Sequence, residues 1–261
     1  MGMKFCANLS FMFQQETASL LERYGLASKA GFKAVECAFP YDYKIDDLVK
    51  AQKNANVEQV LINVYPGESG QLGFAAIPGK EKEFETSLNS AIQYAKALNC
   101  KTIHIMSGKV ENVQPVNDEV CLKNLTLASK LLESENIVGV IEPINKWSVP
   151  NYYLNNYEKA LEFVKKINSP SLKLQLDIFH LQQIKGNLTR NIEELIPHTG
   201  HIQIAQVPKR GEPNTPGEIN YPYVFSVLKE LKYNGFIGLE YLPAAGTVEG
   251  LNWFKEYGFT L

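Results

Sequence analysis

Four side chains with ligand oxygens stand at the ends of apolar runs in the second half of the sequence. They directly follow the runs IVGVI, LKLQL, HI and FIGL, and they are Glu142, Asp177, Gln203 and Glu240. Successive members are 35, 26 and 37 residues apart, which is about the length of one strand and helix unit. If the runs are neighbouring parallel strands of a barrel, all four side chains meet at the same rim.

Three carboxylates this close together would need a positive counter-charge. A buried carboxylate without a partner is costly, and neighbouring carboxylates raise one another's pKa. A divalent cation removes both penalties, and an all-oxygen ligand set suits Mg²⁺ or Mn²⁺ better than zinc. The alternative is that each residue is a polar cap for the helix that follows, which is the simpler interpretation for any single one. Four such residues in series favour the metal site.

Cationic and imidazole side chains lie close to this set in the sequence. His180 stands three residues after Asp177 and could bond a substrate oxygen or donate to a ligand carboxylate, with a purely structural role as the alternative. Arg210 could hold a substrate carboxylate through the planar pair of donors on its guanidinium. For Lys146 and Lys209, solvation of their loops is the simpler interpretation.

Two further histidines are predicted inside the sheet. His104 alternates with apolar residues in TIHIM, which places it inside a barrel or at its rim. His201 lies two residues before Gln203 and therefore on the same side of its strand, nearer the buried start, which predicts a core histidine. The sequence contains no G-x-S-x-G motif, so serine hydrolase chemistry has no support.

The elements that must position these side chains alternate along the whole chain. Eight short β-rich runs are separated by stretches of helical period, a pattern typical of parallel βαβ construction. The predicted strands cover residues 3–9, 34–39, 58–65, 102–106, 137–143, 172–178, 201–207 and 236–242. Because no linker divides the chain, we predict an α/β fold with one domain over residues 1–261, a single (β/α)8 TIM barrel. A doubly wound open sheet is the alternative, since periodicity does not show that the last strand closes on the first.

The connections between these elements are of two kinds. Gly31, Asn99 and Gly235 each follow a helical stretch and precede a strand, which predicts helix caps and short turns. The connections from strand to helix are longer, notably residues 65–80 and 207–222. Within the first, GESGQLGFAAIPG (67–79) does not match G-x-G-x-x-G, so a mobile lid is favoured over a phosphate cradle.

The composition excludes several classes of partner. Lys and Arg number 26 against 28 Asp and Glu, so no broad basic field exists for nucleic acid. No run of 18 apolar residues and no signal peptide is present, so we expect neither export nor a membrane partner. The four cysteines are widely spaced and suit a reducing, cytoplasmic location. The expected partner is a small molecule, and a homo-oligomer is compatible with the sequence, which does not determine the number of copies.

Motifs along the whole chain resemble the hydroxypyruvate isomerase family of xylose-isomerase-like TIM barrels. The matching segments are MKFCANLSF, AAIPGKEKEF, IEPIN, LQLDIFHLQ, HIQIAQVPKRGEP, PGEINY and GLEY. In one segment the chain departs from the family, because many members carry Gly-Arg-His-Glu-Pro where this chain has KRGEP, with Gly211 in place of the histidine.

The resemblance implies an activity and assigns roles. The family's metal ligands match Glu142, Asp177, Gln203 and Glu240, and its paired acid and base match Glu142 and Glu240. The implied reaction interconverts hydroxypyruvate and tartronate semialdehyde by proton transfer through an enediolate, and it needs no redox cofactor.

Other activities use similar barrels. An isomerase of four-carbon 2-oxo acids or a ketose 3-epimerase would use the same glutamates, so only the substrate pocket separates them. An endonuclease-IV-like phosphodiesterase would hold several zinc ions, and the presence of only 4 histidines and no basic groove argues against it. A non-catalytic binding barrel is the third alternative, which the complete set of ligand positions disfavours.

Overall fold

Eight parallel strands form a closed barrel, surrounded by the helices that connect them. The computed structural model describes residues 2–68 and 70–261. The strands are β1 Lys4–Asn8, β2 Ala34–Cys37, β3 Glu58–Asn63, β4 Thr102–His104, β5 Val138–Ile141, β6 Leu172–Asp177, β7 Thr199–Ile204 and β8 Phe236–Leu239. The helices are α1 Leu20–Lys29, α2 Ile45–Ala55, α3 Glu81–Ala97, α4 Pro115–Ser134, α5 Tyr157–Ile167, α6 Ile178–Ile184, α7 Leu188–Leu195, α8 Tyr221–Glu230, α9 Thr247–Gly250 and α10 Asn252–Glu256.

The first strand closes the barrel by pairing with two neighbours. β1 is parallel to β2 on one side and to β8 on the other, in a register that runs from Lys4 opposite Phe236 to Ala7 opposite Leu239. The predicted barrel is therefore confirmed, and the open-sheet alternative is wrong. Several observed strands end earlier than predicted, because the chain leaves the ladder there to enter the connections at the rim.

The helices pack one apolar face onto the barrel, as the helical period indicates. In and just after α3, the predicted core positions are all buried, and they are Phe84, Leu88, Ala91, Ala95 and Leu98. The C-terminal helices pack against β1 through aromatic rings, with Phe5 lying 5.0 Å from Phe254 and 5.6 Å from Trp253, measured between ring centroids. Edge-to-face contacts of this kind join the two ends of the chain.

Two of the three predicted helix-ending residues adopt the left-handed conformation. Gly31 has φ of +106° and Asn99 has φ of +52°, as expected for residues that reverse the chain after a helix. The prediction for Gly235 is wrong, since the positive φ in that turn, +56°, belongs to Lys232. Gly235 is instead covered by the ring of Tyr233, whose hydroxyl oxygen would lie 2.4 Å from an added Cβ.

The predicted lid, residues 67–79, contains Ser69, which lies outside the described residues. Gly73 has φ of +103°, and a Cβ there would lie 2.2 Å from the carbonyl oxygen of Met106. The next residues are hydrogen bonded to the connection after β4, because Ala76 N–H donates to the carbonyl of Ser107 at 2.9 Å. This part of the segment is anchored and does not have the form of a free lid.

Two predictions about the protein's environment concern its cysteines and its helices. All four cysteines are free and buried, and they are Cys6, Cys37, Cys100 and Cys121. Within residues 2–68 and 70–261, no helix has the length and apolar character needed to cross a bilayer.

Candidate metal centre

The four predicted ligands lie together at the carboxyl ends of β5 to β8. Asp177 is the last residue of β6 and Gln203 lies within β7, while Glu142 and Glu240 directly follow β5 and β8. Because these strands are consecutive in the barrel, their ends form one half of its rim. Glu142, Asp177 and Gln203 are buried, whereas the side chain of Glu240 keeps 14% of its surface exposed.

A buried amide that the sequence reasoning missed connects these ligands. Gln175 Nε2 donates to Glu142 Oε2 at 2.9 Å and to Gln203 Oε1 at 2.6 Å. Gln203 Nε2 in turn lies 3.3 Å from Glu240 Oε1. Gln175 is two residues before Asp177, and side chains two apart on a strand face the same way. That spacing is the signal that could have identified it.

Two oxygens of the centre are left without a hydrogen-bond partner. Glu142 Oε1 and Asp177 Oδ2 are buried and unpaired in the described structure. The other oxygen of Asp177 accepts from the N–H of Phe179 at 2.7 Å, which caps α6 and fixes the carboxylate. Buried polar atoms are nearly always satisfied, and these two unpaired carboxylate oxygens are free to act as metal ligands. Glu142 and Asp177 also belong to one of two clusters with spacing suitable for a metal ion among the described residues.

His180, the third member of that cluster, is oriented by its other ring nitrogen. The backbone N–H of Asn145 donates to Nδ1 at 3.1 Å, which assigns the proton to Nε2. Nε2 lies 3.6 Å from Asp177 Oδ2 and 3.8 Å from Glu142 Oε1. An Nε2–H group is a donor rather than a metal ligand, so His180 faces the centre as a hydrogen-bond donor. Burial, with the charge of Arg210 as a second cause, lowers the pKa of His180 well below the usual range and keeps it neutral.

Arg210 reaches the same space from the connection after β7. Its guanidinium lies over the rings of Phe11 and Phe179, 4.8 and 4.7 Å from their centroids. It forms an ion pair with Glu240 Oε2 and lies 3.6 Å from Asp177 Oδ2. Burial alone would lower the pKa of Arg210, but these carboxylates outweigh it and raise the pKa. Arg210 thus supplies a fixed positive charge beside two of the ligands.

The carboxylates are hard to ionise in this environment. Burial raises the pKa of Glu142 well above its usual range, and the charges of Glu240 and Asp177 add to the effect. Burial also raises the pKa of Asp177, against the influence of Arg210. For Glu240, burial raises the pKa to about 8, although Arg210 opposes the shift. A divalent cation would stabilise the ionised forms of all three.

The remaining predicted side chains separate into buried and exposed ones. His104 is buried with Nδ1 3.7 Å from Glu142 Oε2, and burial lowers its pKa to about 3, so the ring is neutral. His201 is buried beneath the centre, where its Nε2 lies 2.6 Å from Glu36 Oε2. Lys146 and Lys209 are exposed. Glu36 itself, fully buried on β2, was not predicted from the sequence.

Comparisons with known proteins agree with this architecture. Residues 24–257 match the family model of the xylose isomerase-like TIM barrel. A protein of Escherichia coli strain K12, named hydroxypyruvate isomerase, is 38% identical over 98% of this chain and 99% of its own. A protein of Cupriavidus necator, named 2-oxo-tetronate isomerase, is 38% identical over 97% of this chain and 98% of its own.

A solved structure matches the barrel closely. The crystal structure of a Brucella melitensis protein titled AP endonuclease, family 2, superposes with a TM-score of 0.94 and 42% identity, covering 98% of this chain and 99% of that one. The chain therefore belongs to the xylose isomerase-like TIM barrel family and, within it, to the hydroxypyruvate isomerase family that its motifs resemble.

Proposed function

We propose that this protein, as a single domain, interconverts hydroxypyruvate and tartronate semialdehyde. The observation that carries the proposal is the pair Glu142 and Glu240, two carboxylates that directly follow the non-adjacent strands β5 and β8 and lie close enough for the charge of Glu240 to raise the pKa of Glu142. Relatives with isomerase names match the chain over nearly its whole length, which makes the protein an isomerase.

The reaction moves one proton between neighbouring carbons and changes no overall oxidation state. A carboxylate removes a proton from the hydroxymethyl carbon of hydroxypyruvate, and the electron pair forms the enediolate. A second carboxylate delivers a proton to the former carbonyl carbon, while the hydroxyl proton of the first carbon passes to the neighbouring oxygen, and the two transfers give the aldehyde and the new hydroxyl group. Glu240 is suited to accept the proton once a divalent cation is bound, because the cation and the ion pair with Arg210 would together favour the carboxylate form over the protonated form that burial favours. Glu142 then delivers the proton from the other side.

The residues that would hold a divalent cation are Glu142, Asp177, Gln203 and Glu240. The two unpaired oxygens of Glu142 and Asp177 support this assignment, and the all-oxygen set favours Mg²⁺ or Mn²⁺. When bound, such a cation supplies positive charge beside the oxygens of the enediolate. Proton transfer remains with the glutamates, and no redox cofactor is needed.

Two neighbouring side chains would orient the substrate. Arg210 carries a planar pair of donors, fixed between two aromatic rings, that suits the carboxylate of a small oxo acid. His180 presents its Nε2–H towards the same space and would donate to a substrate oxygen. We also propose that the protein works in a reducing compartment such as the cytoplasm, because its four cysteines are free thiols.

A second candidate is the isomerisation of a four-carbon 2-oxo acid. The 38% identity to a protein named 2-oxo-tetronate isomerase supports it, and the same glutamates would serve both substrates. The endonuclease name of the Brucella structure finds no matching support in the charge of this chain, which is −2 overall.

The test is to incubate the full chain in D₂O with hydroxypyruvate, a 2-oxo-tetronate and a ketohexose in parallel, each with and without Mg²⁺ or Mn²⁺. We expect tartronate semialdehyde with carbon-bound deuterium, formed fastest with metal. Preferred turnover of the 2-oxo-tetronate would select the second candidate. The absence of turnover with every substrate and both metals would refute the isomerase proposal.

A further inference from the structure

A carboxylate lies inside the barrel beneath the metal centre and accepts four hydrogen bonds. Glu36 Oε1 accepts from Asn8 Nδ2 at 2.8 Å and from Gln203 Nε2 at 2.7 Å. Its Oε2 lies 2.6 Å from His201 Nε2 and 3.3 Å from Cys6 Sγ. The side chain is fully buried, so these groups replace all of its hydration.

The Glu36 carboxylate determines which end of the Asn8 and Gln203 side-chain amides, the NH₂ or the oxygen, points towards it. An ionised carboxylate only accepts hydrogen bonds, so the group that Gln203 turns towards Glu36 must be its NH₂. Its Oε1 then faces away from Glu36, towards Gln175. In the opposite orientation, two oxygens would face each other in a buried space, and such an arrangement is strongly unfavourable.

The same two amides reach Glu240 with their remaining hydrogens. Gln203 Nε2 lies 3.3 Å and Asn8 Nδ2 lies 3.4 Å from Glu240 Oε1. Each amide therefore contacts both Glu36 and Glu240, and the two amides together fix the position of one carboxylate relative to the other. The other oxygen of Glu240 pairs with Arg210.

A glycine on β8, which is separated from the β2 strand of Glu36 by β1, makes room for this carboxylate inside the barrel. An added Cβ at Gly238 on β8 would lie 2.3 Å from Glu36 Oε1 and 2.6 Å from its Cδ. Such distances require displacement of the carboxylate. Gly238 does not have a positive φ, so its backbone conformation does not require glycine. Glycine is needed there because a side chain would occupy the space of the Glu36 carboxylate.

Cys6, Glu36 and His201 also have distances compatible with a cation, but their chemistry does not favour one. Each carboxylate oxygen already accepts two hydrogen bonds from protein groups. Cys6 donates one of these as a thiol, whereas a cysteine that binds a metal does so as the thiolate. The cluster is a completed hydrogen-bond network.

We propose that Glu36 is a positioning residue for the metal centre. It orients the amide of Gln203 so that the oxygen is available as a ligand, and through Gln203 and Asn8 it fixes the carboxylate of Glu240. The proposal rests on the metal site of the proposed function, and it assigns to Glu36 no contact with substrate. Partners of this kind typically change metal affinity ~10- to 100-fold when removed.

The test measures Mn²⁺ binding to the metal-free full chain by electron paramagnetic resonance of the unbound ion. We expect Glu36→Gln to raise the Kd for Mn²⁺ ~10- to 100-fold. Gly238→Ala should raise it in the same direction, because it displaces the carboxylate without changing any charge. The matched control is Cys6→Ala, which removes a donor to Glu36 but leaves both amide contacts, and its Kd should equal that of the wild type.

Activity at saturating Mn²⁺ provides a second readout. With the metal site filled, Glu36→Gln should lower kcat while KM stays near the wild-type value, because Glu36 positions Glu240 and does not touch substrate. Near-ultraviolet circular dichroism of each variant establishes that it is folded. A changed Kd for Mn²⁺ in a variant with a native spectrum therefore cannot be attributed to misfolding.

The outcomes separate this inference from the proposed function. If Asp177→Ala binds Mn²⁺ like the wild type, the proposed metal site is wrong. If the wild type binds and Asp177→Ala does not, an unchanged Kd in Glu36→Gln overturns the positioning role. Should Glu36→Gln fail to fold, Gly238→Ala decides the question, and failure of both variants to fold would make Glu36 a determinant of folding and overturn the inference.

Discussion

At the scale of single residues, burial controls the charge of the rim carboxylates. Glu142 and Asp177 are almost inaccessible, and burial is the largest cause of their raised pKa values. Glu240 differs from them because it is partly exposed and pairs with Arg210. Glu142 and Glu240 therefore have the same side chain in different environments, which is the condition for separate acid and base roles.

Replacing either glutamate by glutamine should remove proton transfer while keeping an oxygen ligand. We expect Glu142→Gln and Glu240→Gln each to lower kcat by ~10²- to 10⁴-fold, the usual contribution of a general acid or base. The double variant should be little slower than the poorer single one. Initial rates with hydroxypyruvate and the bound-metal content provide the measurement.

The matched control for these variants is Glu212→Gln. Glu212 is a buried glutamate whose Oε1 accepts from the N–H of Ala244 at 2.8 Å, and glutamine can preserve that bond. Its kcat should stay near that of the wild type. Near-normal turnover by metal-loaded Glu240→Gln would contradict the assigned proton shuttle.

The raised pKa values also predict how pH affects stability. Above about pH 5.5, an unfolded glutamate has lost its proton, since its reference pKa is about 4.3. Folded Glu240 keeps the proton until its pKa of about 8. The folded state thus binds this proton when the unfolded state does not, and the free energy of unfolding of the metal-free protein should fall as pH rises from about 7.5 to about 8.5. His104 and His180 have lowered pKa values, so the protons bound by the unfolded histidines oppose this fall at lower pH, and they have largely been lost above about pH 7.5.

Metal should reverse this trend, because cation binding requires the carboxylates to lose their protons. We expect saturating Mn²⁺ to raise Tm more at pH 8 than at pH 6.5, and not to raise it in Asp177→Ala. Thermal unfolding at both pH values, with and without Mn²⁺, measures the difference. An equal rise in Tm at both pH values would contradict the raised pKa values.

At the scale of elements, the positions of the strands could be predicted from the sequence, whereas the contacts of their inward-facing side chains could not. Alternating apolar runs located all eight strands, and strand-end spacing brought Glu142 and Glu240 to one rim. Glu36 was missed because AVECAF has the pattern of an ordinary core strand. Its partners Asn8 and Gln203 are 28 and 167 residues away in sequence, and periodicity carries no information about contacts across a closed barrel. An acidic residue inside an apolar strand was the one available signal, because a buried carboxylate requires partners.

Two glycines in different elements should respond oppositely to alanine. Gly73 has a positive φ and lies against the Met106 carbonyl, so Gly73→Ala should lower the free energy of unfolding by more than ~1 kcal/mol. Gly25 lies within α1, and an added Cβ meets nothing within 4 Å. Gly25→Ala should therefore raise the free energy of unfolding by ~0.8–1 kcal/mol, the difference in helix propensity. Urea titration of both variants is the measurement, and equal effects would contradict these backbone assignments.

At the scale of the whole molecule, closure of the barrel joins residues distant in sequence. β1 and β8 lie side by side, so Asn8 near the start of the chain reaches Glu240 near its end. The C-terminal aromatic residues pack against β1 and reinforce the same junction. The four candidate ligands all come from the second half of the chain, but Asn8 and Glu36, which contact Gln203 or Glu240, come from the first half, so the complete hydrogen-bonded centre requires the whole barrel.

Alkylation of the four buried cysteines would measure how often the folded barrel opens. Each thiol is at most 1% exposed, so an alkylating reagent has almost no access to them while the barrel is intact. Burial raises the pKa of Cys37 and of Cys100 to about 12, which further suppresses the reactive thiolate. We expect the rate of alkylation to follow the population of the open chain, and to fall when Mn²⁺ is added. Mass spectrometry of samples quenched over time would show all four sites labelled together if the barrel opens as one cooperative unit, whereas early labelling of Cys121 on α4 alone would show that the outer helices separate from the strands before the barrel itself comes apart.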